Sequence, residues 1–217
     1  MQSTNNQFLL YLLVLCSFQF INAQTALIPP GTLKINDSLF MDKSPVTNIM
    51  YYEFLTELER TNPKVLETMS IPTRLKIEGY SAKTYFFHPK YQYFPVLQIT
   101  KYQAELYCKW RSDMAQLAWD AKYPDYNKTL VYSLPTKLQY ESAVKVFKGT
   151  NRFKAFEADN PLKLKIKEHP KKKFVTYNIS EITQDDLFFG LNRKGISPTK
   201  LPNNDTGFRC ICEVKAK

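Results

Sequence analysis

The sequence predicts an α+β protein, and three observations carry that prediction. Three segments begin with a helix-capping residue and continue with apolar residues at helical spacing. Between the first two, residues 61–97 are rich in Pro, Tyr and Phe with little periodicity, which reads as an irregular, aromatic-packed insertion. From Phe174 onward the chain reads as short strands and turns punctuated by Gly190, Gly195, Pro198, Pro202 and Gly207.

The N-terminus, "NNQFLLYLLVLCSFQFINAQ", has an apolar run from Phe8 to Phe20 and a small residue, Ala23, before Gln24. By length and flanks this is a secretory signal peptide, residues 1–23, too short for a transmembrane helix. No Lys or Arg precedes the run, a departure from the usual basic start. Cys16 follows Leu15, where lipoprotein processing wants a small side chain. Residues 24–217 are therefore expected as one exported domain, in the periplasm or at the cell surface, long enough to bury one sizeable core.

The first helix is expected in "SPVTNIMYYEFLTELER", with Thr47 as N-cap and Tyr51, Phe54, Leu55 and Leu58 on one face. In "QITKYQAELYCKWRSDMAQLAW", Thr100 and Gln103 form a capping box, and Ala104, Tyr107 and Cys108 share a face. The third helix follows a Leu-Pro-Thr turn in "VYSLPTKLQYESAVKVF". Pro135 holds Leu134 extended, Thr136 and Gln139 make a second capping box, and Tyr140, Ala143, Val144 and Phe147 form the apolar stripe.

The formal net charge of +10 falls entirely on residues 24–217, because the first 23 residues contain no Asp, Glu, Lys or Arg. Much of it lies in "LKLKIKEHPKKKF", where Lys163, Lys165 and Lys167 alternate with Leu162, Leu164 and Ile166 before Lys171, Lys172 and Lys173. The alternation is that of a half-buried strand whose lysines stay in water and block edge pairing. The same lysines suit an acidic partner: a polyanionic glycan, a lipid head group or an acidic protein patch. No aromatics interleave with them as a nucleic-acid surface requires, so nucleic acid is not an expected partner.

Five segments in order resemble the formylglycine-generating enzyme, or sulfatase-modifying factor, domain. "IPPGTLKI" is similar to the family's Pro-Gly-Gly start. "MDKSPVTNIMYYEFL" matches the next segment at Asp42, Lys43, Val46, Thr47, Asn48, Tyr52, Phe54 and Leu55. "FPVLQITKYQAELYCKW" matches at Pro95, Val96, Ala104, Tyr107, Cys108 and Trp110, "SLPTKLQYESAVK" stands where the family has its Leu-Pro-Thr helix start, and "TGFRCICEV" closes the pattern. The bridging "YFFHPKYQYFPV" resembles the branch that includes gliding-motility lipoproteins of type IX secretion. The resemblance implies an irregular, C-type-lectin-like fold, with few short helices around small twisted sheets. It also implies a disulfide between Cys108 and Cys210, leaving Cys212 as an odd thiol that reads as a small buried hydrophobe.

The chemistry of the active family is where the chain departs. Active members place a cysteine pair before the closing segment to hold copper(I), a soft ion that needs thiolates. Here residues 182–206 contain neither Cys nor His. The related iron enzymes take three histidines from an added domain, whereas this chain has only His88 and His169, without metal-ligand spacing. The segment that resembles the family's structural calcium site, "TYNISEIT", keeps Asn178 and Glu181 but offers only Glu181 as a clear side-chain donor, so calcium is more readily lost than kept. With no cofactor expected, the first reading is a secreted, non-catalytic scaffold or binding module in an envelope assembly. The alternative is an enzyme with a relocated active site built on Cys212 or on Asp185 and Asp186.

Overall fold

The computed structural model describes residues 27–69, 82–156, 166–190, 195–198 and 206–217. The apolar N-terminal run, Lys163, Lys165, Asn192 and Lys194 lie outside them. The described residues form an α+β fold of short helices and small sheets, in keeping with a C-type-lectin-like architecture.

The first sheet is antiparallel, with β1 (Thr32–Lys34), β2 (Leu39–Asp42), β3 (Lys128–Ser133) and β10 (Ile211–Ala216) in the order β1-β2-β10-β3. A parallel pair joins β4 (Phe153–Phe156) to β5 (Phe174–Tyr177). The third sheet, in the order β8-β7-β6-β9, holds β6 (Ser180–Ile182), β7 (Leu187–Gly190), β8 (Gly195–Pro198) and β9 (Thr206–Gly207). Gly207 sits where chain approaches chain: a Cβ there would meet the Val96 carbonyl oxygen at 2.9 Å and Ile179 at 3.0 Å.

The three expected helices are present as α1 (Asn48–Thr61), α4 (Lys101–Lys122) and α5 (Lys137–Phe147). Both capping boxes close. In each, the Gln backbone N–H donates to the Thr hydroxyl at 3.2 Å, and the Gln side-chain oxygen accepts from the Thr N–H at 2.9 Å. Thr47 is the N-cap of α1 by position, but its hydroxyl makes no capping bond. The first amides of α1 are satisfied by backbone instead, Asn48 N–H donating to the Phe94 carbonyl and Ile49 N–H to that of Gln92, both at 2.9 Å.

Residues 61–97 are less irregular than their composition suggests. Two short helices, α2 (Pro63–Thr68) and α3 (Ala82–Phe87), and a 3-10 turn at Pro89–Tyr91 form there. Each is too short to show a period, and α2 is set by local chemistry: Asn62 caps it and Pro63 fills its first turn. The aromatic packing does hold, with Tyr85, Tyr91 and Phe94 buried against Val175 and Tyr177. Asn48 pins this layer, donating from Nδ2 to the carbonyls of Tyr91 (2.9 Å) and Tyr85 (3.3 Å).

At the lysine stretch only the end of the expected strand is described, since residues 162–165 lie outside the described residues. Ile166 and Lys167 belong to no strand. Ile166 packs on the Val175 cluster while Lys167 stays exposed, and β5 pairs with β4.

Candidate functional site

Two buried ion pairs run through the core behind the motif residues. Arg209, fully buried, donates from Nε to Glu181 Oε2 at 2.5 Å and from Nη2 to Oε1 at 2.7 Å. Its other bonds go to the carbonyls of Val175 (3.0 Å) and Asp42 (3.2 Å), and Phe174 lies 4.4 Å beneath it. Burial opposes its charge, but Glu181 together with Tyr140 and Asp42 outweighs that and holds the guanidinium protonated. Arg111 on α4 donates to Asp42 Oδ2 at 2.6 Å, and the same oxygen accepts from Cys210 N–H at 2.8 Å. Gly31, at φ 77°, lets the chain turn against Arg111, whose Nη2 would stand 3.0 Å from a Cβ there.

These bonds decide the calcium question. Both Glu181 oxygens are engaged by Arg209, whose cation already balances the carboxylate. Calcium needs six to eight oxygens. Among the described residues no cluster of three or more His, Cys, Asp or Glu side chains could hold a metal ion. The residues present do not fit the ion that the resemblance suggests.

The thiols are equally occupied by the core. Cys108 and Cys210 are buried, their sulfurs in contact at 3.2 Å, and burial pushes the Cys108 thiol well up. Cys212 is buried on β10, and burial pushes it up to about 12, so at neutral pH it is a thiol and not a nucleophile. Asp185 accepts the first amide of α5, from Lys137, and Asp186 pairs with Lys101 of α4 at 2.6 Å. Gln184 completes this clasp, donating from N–H to the Pro135 carbonyl and accepting from Lys101 Nζ. Both carboxylates thus anchor the two helix starts.

Among the described residues, two open cavities are basic. Lys171, Lys172 and Lys173 form a wall shared by two cavities of about 530 and 750 Å³. Lys154 and Lys167 line the first, and Lys43 and Arg152 the second. Among the described lining residues, one carboxylate stands against these seven cations: Glu168, which pairs with Lys171 at 3.0 Å. The floor of the first cavity includes Phe156 and Tyr177, stacked 5.3 Å apart and 6° from parallel. His169 lines this cavity and a smaller one of about 230 Å³ beside Asp42. Its Nε2 lies 3.4 Å from the Thr47 hydroxyl, and burial lowers its pKa. His88 instead caps the 3-10 turn, Nδ1 accepting from Lys90 N–H at 3.1 Å.

Sequence reading found the lysine run but missed Lys43, Arg152 and Lys154, which the fold brings to it. The last two alternate with Phe153 in "RFKAF", a period-2 basic pattern like that of residues 162–167. Arg111 also carried a signal, a charge on the same helix face as Cys108 and Ala115.

The fold and this core define a protein of the sulfatase-modifying class. The family model described as "Sulfatase-modifying factor enzyme 1-like domain" matches residues 15–186, most of the chain, and the protein belongs to that family. No curated protein and no solved structure matches it.

Proposed function

We propose that this protein is a non-catalytic member of its family, exported to the cell envelope, where it serves as a scaffold or binding module in an assembly of the gliding or secretion type. One observation carries the reading: among the described residues, the thiols and carboxylates that the alternative enzyme would draw on are already used by the fold. Residues 182–206 hold no sulfur, Cys212 is a buried thiol, and Asp185 and Asp186 tie down α4 and α5. The open surface is a basic cleft, suited to holding a partner. Export rests on the N-terminal apolar run, and among the described residues no helix is long and apolar enough to cross a membrane.

The test is to incubate the purified, reduced protein with copper(I) and a sulfatase-type Cys peptide under oxygen. The expected outcome is an unchanged peptide thiol. Tight one-to-one copper binding lost on Cys212→Ser, together with loss of the peptide thiol, would overturn the reading in favour of a relocated active site. A pull-down from envelope extract should recover a stoichiometric partner.

A further inference from the structure

We propose that the basic cleft is a binding site for an acidic polysaccharide, a chain of sugars bearing carboxylate or sulfate groups, held across the wall formed by Lys171, Lys172 and Lys173. The inference rests on the binding-module reading and names the ligand class of that module. Three features of the cleft argue for it.

The charge is concentrated and largely unspent. Among the described residues, Lys43, Lys167, Lys172 and Lys173 have no carboxylate partner, and none that lines the second cavity is an acid. A single phosphate or carboxylate would meet only one part of this field, whereas a ligand with repeated charges meets the cations on both sides of the wall at once. The cleft is also concave. A membrane surface favours an outward-facing apolar and basic face, but here the apolar lining is Phe156 with the buried Val175 and Tyr177, set in one cavity with the lysines. A chain can enter such a cleft; a bilayer cannot.

The third feature is the aromatic floor. The half-buried Phe156 ring stacks on Tyr177, and Lys154 Nζ sits 4.4 Å from its centroid. The half-exposed edge of such a ring beside a cation offers a sugar two things, an apolar contact for its C–H groups and a positive group for its acid. Simple charge attraction has no use for the ring. The aromatic therefore separates a glycan from a generic polyanion.

The experiment measures binding of the intact protein to oligouronate and to sulfated dextran by titration calorimetry, with anionic phosphatidylglycerol vesicles and inorganic phosphate as alternative probes. Oligosaccharide binding is expected to weaken about tenfold or more between low and physiological salt. It should weaken by a similar factor in Lys171→Gln/Lys172→Gln/Lys173→Gln, and not in the control Lys64→Gln/Lys109→Gln/Lys145→Gln on exposed helix faces. Phe156→Ala should weaken binding while leaving its salt dependence unchanged, with circular dichroism confirming the fold. Binding to vesicles or phosphate but not to oligosaccharide would overturn the proposal, as would oligosaccharide binding that the triple lysine variant does not reduce. A protein that binds no oligosaccharide and is also inert in the copper assay loses only this proposal, whereas loss of the peptide thiol removes the binding-module reading itself.

Discussion

The sulfurs of Cys108 and Cys210 meet 3.2 Å apart in the core, one on α4 and the other immediately before β10, across 102 positions of chain. In an oxidising compartment this pair is expected to close. A bridge over a loop of that length constrains the unfolded chain by roughly 4–5 kcal/mol in the chain-entropy account. Peptide mapping without reductant should recover the linked peptides, and reduction should lower the unfolding midpoint. Finding both thiols free in protein taken from an oxidising compartment would remove the bond. Cys212 should alkylate only after denaturation, because burial keeps it protonated.

Glu181 and Arg209 form a pair whose members depend on each other. Glu181→Gln leaves a buried guanidinium without its counter-charge and should cost about 3–5 kcal/mol of stability. Removing both charges, as in Glu181→Leu/Arg209→Met, should cost less than the two single changes added together, which denaturant unfolding of the four proteins measures. Because the arginine supplies the cation that balances Glu181, added calcium or EDTA should leave the midpoint where it is. A calcium-dependent rise would contradict this.

His169 predicts a pH effect with a definite sign. Burial lowers its pKa below the usual 6.5, with Asp42 opposing and Lys43 and Arg111 reinforcing the shift. Between the lowered value and 6.5 the unfolded chain binds more protons than the folded one. Stability therefore rises with pH through that window and falls as pH drops below 6.5. His169→Gln should flatten this part of the profile, and an unchanged slope would assign it to other groups.

Much of the helical structure was legible because caps are local chemistry. Thr100 with Gln103, and Thr136 with Gln139, state where α4 and α5 begin without help from the rest of the chain. Thr47 shows the limit: its place as N-cap was readable, but a distant His169 lies against its hydroxyl and the turn at Gln92–Phe94 takes the amides. The short helices between residues 61 and 97 were not legible, since a single turn or two has no period to detect. For the site, the lysine run was visible as composition, but its join with Lys43 and Arg152 depends on strands that meet only in space. Glu181 likewise stood out as a possible metal ligand, and nothing near it in sequence announced the arginine that occupies it.

Strand β10 lies between β2 and β3, which themselves stand far earlier in the chain. Until residues 206–216 are made, β2 and β3 each keep an unpaired edge, Cys108 lacks its neighbour, and Glu181 faces no arginine. One late stretch of chain thus delivers the centre of the sheet and both core contacts together. Such long-range pairing makes the first sheet a slow, all-or-none closure rather than a strand-by-strand one.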